Sequence, residues 1–165
     1  MSEPVPTRAG LPPGYGTDTA QSPPGERLPW ASVEEWLIGA RNYWVCTTRP
    51  DGRPHAKPVW GVWLDGALLF STSPASVTGR NIRDRSPVAV HLESGDRVAI
   101  FEGRAEPVSD PALLARFTSA YEEKYDWKVD TGDPDTPVLS LRPGSLLSWD
   151  ATDSLAETAT RWTFA

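Results

Sequence analysis

Hydroxyl and cationic side chains between residues 71 and 83 form the segment of the sequence best suited to bind a ligand. The hydroxyl and cationic residues are Ser71, Thr72, Ser76, Thr78, Arg80 and Arg83, and the amide Asn81 lies among them. Three of them, Ser76, Arg80 and Arg83, have the spacing of one helical face. Hydroxyls, guanidinium groups and the N–H groups at a helix start are donors that bind a phosphate monoester. A solvated turn whose arginines pair with carboxylates such as Asp84 is the alternative, and the residues alone leave both open.

The predicted strand over residues 55–64 is a second candidate, because its alternating residues form two different faces. The face that is expected to be core contains Ala56, Pro58, Trp60, Val62 and Leu64. The other face contains His55, Lys57, Val59, Gly61 and Trp63. A lysine, a glycine that leaves space and a tryptophan would suit an aromatic ring with an anionic tail. An exposed sheet face with ordinary charges is the alternative.

Several other chemistries lack the residues that they need. Two histidines and one cysteine are too few for a structural zinc site or an internal disulfide, so we expect no metal. The sequence contains neither a Ser-His-Asp set nor a glycine-rich nucleotide fingerprint. Cys46 and His91 are expected to be structural, and Glu122, Glu123 and Lys124 to form a solvated helix surface. The residues therefore designate no catalytic group.

Charge and hydropathy exclude two classes of partner. The chain has 16 basic and 22 acidic side chains and a net charge of −6, so the broad positive surface that binds nucleic acid is missing. No apolar run approaches the roughly 20 residues that span a bilayer. We expect a cytoplasmic protein that binds a small molecule and neither nucleic acid nor membrane.

The elements that position these residues are predicted to be mainly β. Residues 1–27 are rich in proline and glycine and are expected to be a mobile tail, with residues 28–165 as one folded domain. Strands are predicted at 43–49, 55–64, 67–72, 88–93 and 98–108, with one to three more after residue 137. Parallel βαβ alternation is missing, which favours a closed antiparallel barrel with peripheral helices.

Two helices have start signals in the sequence. Ser32 and Glu35 have capping-box spacing, which predicts a short helix that ends near Arg41. Asp110 followed by Pro111 predicts a longer helix to about residue 125, with an N-cap side chain and a proline at the first helical position.

The order and spacing of these segments resemble a known family. The run GRPHAKPVWGVWLDGALLFSTSPASVTGRNIRDRSPVAVHLESGDRVAIFEGRAE, followed by AYEEKY and TRWTF, resembles the pyridoxamine 5'-phosphate oxidase-like split-barrel proteins. Within them it is most similar to the actinobacterial flavin/deazaflavin oxidoreductases, over about residues 30–164. The resemblance implies a six-stranded antiparallel split β-barrel that forms a homodimer. It also implies FMN or the deazaflavin F420 in a groove between the subunits.

The resemblance further implies roles for particular residues. Cofactor-binding residues would be Lys57, Val59, Trp60, Ser71, Thr72, Ser76, Thr78, Arg80 and Asn81. Substrate-binding residues would be His55, Trp63, Arg161 and Trp162. The family pattern Ser-x-Lys-x-Arg-Asn is broken because Thr78 takes the lysine position, and Gly79 is expected to loosen the turn. One charge-assisted hydrogen bond to phosphate, about 1.5 to 3 kcal/mol, is then missing.

The activity that the resemblance implies is hydride transfer between reduced FMN or F420 and a conjugated small organic substrate. The proton would come from solvent, Tyr43 or His55. The alternative is a non-catalytic carrier of a flavin-like or haem-like molecule on the same fold, which Thr78 favours. A biosynthetic enzyme that uses the groove without a redox cofactor is a third hypothesis.

Overall fold

Nine strands and three helices account for the described part of the chain, residues 3–9, 27–84, 87–152 and 158–164 of the computed structural model. The strands are β1 (Val5–Arg8), β2 (Tyr43–Thr48), β3 (Pro54–Val59), β4 (Gly61–Leu64), β5 (Ala67–Ser71), β6 (Pro87–His91), β7 (Arg97–Pro107), β8 (Val138–Asp150) and β9 (Thr160–Thr163). The helices are α1 (Trp30–Gly39), α2 (Val77–Asp84) and α3 (Pro111–Tyr125). All strand pairs are antiparallel, which confirms the predicted mainly β class.

The strands form a split barrel. Hydrogen-bonded neighbours follow the order β3, β2, β6, β7, β8, β5, β4. Strands β3 and β4 stand at the two ends of this order, yet only Trp60 separates them in the chain. The chain therefore bends at Trp60 from one end of the ladder to the other, and the ladder is split there. With β3 and β4 counted as one bent strand, the barrel has the six strands that the resemblance implies. The predictions of one straight strand over 55–64 and of a closed barrel are therefore wrong.

Strand β8 pairs with β7 along one side, and with β5 and then β9 along the other. The sequence predicts two separate runs here, but the structure has one strand of 13 residues. Pro143 cannot donate a ladder hydrogen bond, and a register shift between Glu102 and Gly103 of β7 lies opposite it. The irregularity that looks like a turn in the sequence is thus a bulge in a continuous ladder.

Residues 5–8 form a strand, although the sequence predicts a mobile tail up to residue 27. Strand β1 pairs with β9 from Val5 opposite Thr163 to Arg8 opposite Thr160. Prolines are compatible with an edge strand, because such a strand pairs on one side only and the backbone nitrogens on its other side need not donate a ladder hydrogen bond. Residues 10–26, where most of the predicted tail falls, lie outside the described residues.

A row of five buried residues crosses the sheet on its inner face. The row is Val45, Val90, Phe101, Leu146 and Trp162. A second apolar cluster lies between α3 and the β4–β5 hairpin. The face prediction for residues 55–64 is reversed over β3, because Val59 lies in the main core whereas Ala56 and Pro58 are exposed. Alternation separates two faces correctly, but the pairing with β2 decides which of them points inward.

One helix start was predicted correctly and the other was not. The Asp110 carboxylate accepts a hydrogen bond from Ala112 N at 2.9 Å, which confirms the predicted cap of α3. Helix α1 begins at Trp30 after Pro29, with no side-chain cap, so the capping-box prediction is wrong. Ser32 lies inside the first turn, where its N–H already donates to Pro29 O. None of the helices in the described ranges is long and apolar enough to span a membrane.

Candidate functional site at the junction of α2 and β3

Helix α2 packs on the β2–β3 hairpin through a buried side-chain hydrogen bond. Asn81 Nδ2 donates to Thr47 Oγ1 at 2.9 Å, and both side chains are buried. Ile82 of the same helix belongs to the main core. Asn81, which the resemblance places at the cofactor, is therefore a structural link that fixes α2 on the barrel. We call the residues where α2 meets the hairpin, Thr47, Arg49, His55, Lys57 and Thr78, the α2–β3 junction.

Thr78 and His55 are in contact at the centre of this junction. The Thr78 side chain is 0% exposed, and its Oγ1 lies 3.2 Å from His55 Nε2. The resemblance implies a lysine at position 78, where this chain has a buried hydroxyl. The sequence assigns His55 and Thr78 to separate groups, substrate and cofactor, and the structure brings them together. Alternation on β3 carries no signal for this contact, because it depends on how α2 docks.

The junction is electropositive although the whole chain is acidic. Burial lowers the pKa of His55 first, and the nearby cations Arg49 and Lys57 lower it further. Lys57 is exposed on β3, and Arg80 is exposed on α2. The Arg80 guanidinium donates to the carbonyl oxygen of Ala75, which holds it beside the start of the helix. These side chains can neutralise an anion that approaches from solvent.

The hydroxyls predicted to hold a phosphate already have partners within the chain. Ser71 Oγ donates to Thr136 O at 2.7 Å. Thr72 Oγ1 lies 3.1 Å from Ser76 Oγ, which also accepts from Gly79 N at 2.9 Å. Either hydroxyl of this pair can be the donor, and when Thr72 donates, Ser76 accepts twice and still has its own proton to donate. Ser76 can therefore cap α2 and donate to a phosphate oxygen at the same time, which fits an anionic tail at the helix start.

Gly79 does not loosen the turn, as the sequence suggested, but permits a close approach. A Cβ at this position would overlap the carbonyl oxygen of Ser73 and lie 2.9 Å from Pro74 Cα. Any larger residue would push α2 away from the 73–74 turn. The glycine therefore fixes the position of the helix that contributes Thr78, Arg80 and Asn81.

A cavity of about 410 Å³ lies on the other side of α2. Its walls include Thr72, Gly79, Ile82, Arg83, Pro137 and Leu139. The walls are mostly apolar, with hydroxyl and guanidinium groups at α2 and at the end of β5. A larger groove of about 590 Å³ lies on the outer face of the sheet, with Cys46, Thr48, Pro54, Ala89 and Glu102 among its walls.

Four of the predicted residues, besides Arg161, lie away from the junction. Val59, Trp63 and Trp162 are core residues, with 7%, 5% and 1% of their surfaces exposed. The indole Nε1 of Trp162 donates to Ser148 Oγ at 2.9 Å, so its polar atom is also satisfied internally. Trp60 lies five residues beyond His55, about 17 Å along an extended chain. There it stacks on Tyr125 at 4.7 Å between ring centroids.

Arg161, the last predicted substrate residue, is exposed on the outer face of β9. Outward neighbours across the sheet lead from it to β3. They are Leu147, Ile100, His91, Trp44 and Pro58 in that order. Five strand spacings separate Arg161 from Pro58, about 24 Å. Arg161 and the α2–β3 junction of one chain therefore do not form one site.

A second polar cluster, which the sequence missed, surrounds Lys124. Its Nζ donates to Ile38 O at 3.0 Å, Gly61 O at 3.1 Å and the Tyr43 hydroxyl at 3.1 Å. Burial lowers the pKa of Lys124 to about 8. The prediction of a solvated surface is thus wrong for this residue. Helical periodicity contains the signal, because Lys124 lies seven positions after the buried Phe117.

Tyr43 lies in this cluster and is fully buried. Its hydroxyl donates to the carbonyl oxygen of Leu37 and accepts from Lys124. Burial raises its pKa well above the ordinary value for tyrosine, and Tyr125 raises it further. A hydroxyl so enclosed is poorly placed to supply a proton to a ligand.

Comparison with solved structures supports the fold assignment. A conserved hypothetical protein of Mycobacterium tuberculosis, Rv2991, is 25% identical over 79% of this chain and 89% of that chain, with a TM-score of 0.65. An F420 reductase is 24% identical, covers 68% of this chain and 94% of that chain, and has a TM-score of 0.53. A heme binding protein from Mycobacterium smegmatis is 20% identical, covers 75% of this chain and 55% of that chain, and has a TM-score of 0.61.

The last two structures show likeness of fold alone. No curated protein matches the chain. The family model described as pyridoxamine 5'-phosphate oxidase matches residues 30–150, which include the α2–β3 junction and all of the barrel strands from β2 to β8. With its split barrel and this match over most of its length, the chain belongs to the pyridoxamine 5'-phosphate oxidase family.

Proposed function

We propose that the protein is an oxidoreductase that uses FMN or F420 to transfer hydride to or from a conjugated small organic substrate. The observation that carries the proposal is the electropositive α2–β3 junction of a pyridoxamine 5'-phosphate oxidase family member whose net charge is −6. Both cofactors have a phosphate on a flexible tail and a flat tricyclic ring. When bound, either cofactor supplies the hydride chemistry, and the protein supplies binding and orientation.

The tail of the cofactor would be held by groups at and beside α2. Lys57 and Arg80 are exposed cations, and Ser76, which accepts from Gly79 N, can donate its proton to the tail when Thr72 donates to it. We place His55 with this tail and not with the substrate, because its ring contacts Thr78. Asn81 and Thr78 would act indirectly by fixing α2 on the hairpin. We leave the buried Val59, Trp63 and Trp162 out of the proposed site.

Positioning and water exclusion are the tasks that we assign to the protein in the reaction. Holding two reactants in a productive arrangement lowers the barrier without a dedicated acid or base. We assign the proton to solvent, because the Tyr43 hydroxyl is enclosed by Leu37 and Lys124.

A homodimer is part of the proposal. The outer row that runs from Pro58 to Leu147 includes Trp44 and Ile100, and these residues are only partly buried within a single chain. Covering such an apolar row with a second copy would remove it from water. We also propose that in this dimer Arg161 of one subunit faces the groove of the other, which one chain alone does not do. We further propose a cytoplasmic location, in keeping with the single cysteine, Cys46.

Ligand titration tests the enzyme proposal. Purified protein is titrated with FMN and with F420 while tryptophan fluorescence is recorded, and an absorption spectrum shows whether a chromophore is already bound. Saturation by one cofactor below about 1 μM, a binding free energy of about −8 kcal/mol, supports the proposal. Substrate-dependent oxidation of the reduced cofactor supports the redox activity. If neither cofactor binds below about 1 mM, the proposal is withdrawn.

A carrier of a flavin-like or haem-like molecule is the second candidate. The buried Thr78 favours it, because the family's lysine at this position is replaced by a side chain with no charge and 0% exposure. A carrier would bind the chromophore tightly, yet the reduced chromophore would not be oxidised faster by any conjugated acceptor in the presence of protein. The same titrations, followed by stopped-flow oxidation, separate the two candidates.

A further inference from the structure

We propose that His55 is a proton-linked anchor for the anionic tail of the ligand, neutral in the free protein and protonated when a phosphate is bound at the α2–β3 junction. The inference rests on the proposed function, since it concerns the phosphate of the same cofactor. It assigns to His55 the charge that the family's lysine would provide from position 78.

The contact between His55 and Thr78 is compatible with both protonation states. Thr78 Oγ1 lies 3.2 Å from His55 Nε2, and its side chain is fully buried. A hydroxyl donates to a neutral imidazole nitrogen and accepts from a protonated one. Thr78 can therefore hold the ring in one position before and after proton uptake. A lysine at position 78 could only donate, and its charge would oppose protonation of the ring.

The charges around the ring explain why we expect His55 to be protonated only when an anion is bound. Arg49 from the β2–β3 turn and Lys57 from β3 both act on His55, and together with burial they keep its pKa below the ordinary value. Of the other charges on these elements, Asp51 pairs with Arg53 and Arg83 with Asp84, whereas Arg80 is an exposed cation whose guanidinium donates to Ala75 O. The phosphate monoester of FMN brings a charge of about −1.5 to −2 near pH 7. Placed against the ring, nearer to it than the two cations, an anionic phosphate would favour the imidazolium.

Proton uptake on binding makes affinity depend on pH. Because the free ring is neutral and the bound ring is charged, affinity rises as pH falls through the pKa of the bound state and levels off at that of the free state. Each unit by which binding raises the pKa of His55 corresponds to about a tenfold gain in affinity. Below about pH 6 the phosphate takes up its own second proton, so the comparison is made between pH 8.0 and pH 6.5.

The experiment uses the fact that the chain has only two histidines. The imidazole C2 protons are titrated by NMR with and without inorganic phosphate, and H91N identifies which signal belongs to His55. His91 is the matched control, because it stacks on Trp44 on the outer sheet face. We expect phosphate to raise the pKa of His55 by about one unit or more and to leave the His91 signal unchanged.

Binding of FMN and F420 is then measured by tryptophan fluorescence at both pH values for the wild type and H55Q. Glutamine can hydrogen-bond to Thr78 but carries no charge. We expect the wild type to bind its cofactor about threefold more tightly at pH 6.5 than at pH 8.0. In H55Q this difference should be lost.

The outcomes separate this inference from the proposed function. If a cofactor binds with the same pH dependence in the wild type and H55Q, the inference is overturned and the proposed function stands. If inorganic phosphate raises the pKa of His55 but neither cofactor binds, the anion site stands and the proposed function fails. If phosphate leaves His55 unchanged and no cofactor binds, both fail. The NMR titration uses the wild-type protein, so it decides even where H55Q does not fold.

Discussion

Replacing Gly79 with alanine is expected to displace α2 and to weaken both the fold and the ligand site. The added Cβ would overlap Ser73 O and approach Pro74 Cα to 2.9 Å, where ordinary contact begins at 3.4 Å. The helix or the turn must therefore move by about 0.5 Å from Pro74, and by more from the carbonyl oxygen. Both obstacles are backbone atoms, so no side chain can rotate away to make space.

Two opposing effects determine the size of the change. Overpacking in a rigid site costs typically about 1 to 3 kcal/mol. Alanine gains about 1 kcal/mol over glycine inside a helix. Because the clash is with backbone, we expect overpacking in the upper part of its range, about 2 to 3 kcal/mol, which leaves a net loss of about 1 to 2 kcal/mol. For a domain of this size the melting temperature then falls by about 2 to 8 °C.

Urea denaturation of G79A and the wild type, with G39A as the control, measures this effect. Gly39 ends α1, and a Cβ added there meets nothing within 4 Å. G39A should therefore be neutral or slightly stabilising, by up to about 1 kcal/mol. G79A should also weaken binding of the cofactor, because the bonds from Asn81 to Thr47 and from Thr78 to His55 both depend on the position of α2. Equal stability of G79A and the wild type would refute the close packing of α2.

Three further predictions concern charge and assembly. The stability of the wild type relative to K124M, measured as the free energy of unfolding in urea, should increase between pH 8 and pH 10. The folded chain loses the Lys124 proton near pH 8, whereas the unfolded chain keeps it. A difference between the two proteins that does not change with pH would contradict this prediction. R80A should weaken cofactor binding about tenfold to a hundredfold in fluorescence titrations, with an unchanged melting temperature of the free protein. W44E should be monomeric in analytical ultracentrifugation, whereas W127E, at a 62% exposed tryptophan in a loop, should remain dimeric.

Local signals predicted much of the fold. Strand positions and the α3 cap follow from alternation, turn residues and Asp110–Pro111, which act over a few residues. What the sequence could not predict depends on distant pairing. The inward face of β3 is decided by its register with β2, and the end of the strand at Trp60 is decided by the split in the barrel. Residues 5–8 form a strand because β9 has an edge with backbone groups to which they hydrogen-bond.

The candidate site was predicted by residue type better than by arrangement. The cations Lys57 and Arg80 are exposed, and Ser76 contributes a half-buried hydroxyl at the start of α2, in keeping with the hydroxyl and cation pattern. The two tryptophans predicted at the substrate, Trp63 and Trp162, are core residues. Aromatic residues suit both a core and a stacking wall, so only the burial of each side chain can distinguish these roles.

Thr78 and His55 are better understood as one feature of this chain than as a lost lysine and an unrelated histidine. A lysine at position 78 would carry a permanent charge at a place where the native side chain is 0% exposed, next to Arg49 and Lys57. Burial of an ammonium group beside two cations is costly. A threonine avoids that cost and leaves the ring of His55 free to gain a proton when an anion arrives. If the proposal is correct, the charge that binds the anion lies on His55 and depends on pH and on the ligand itself.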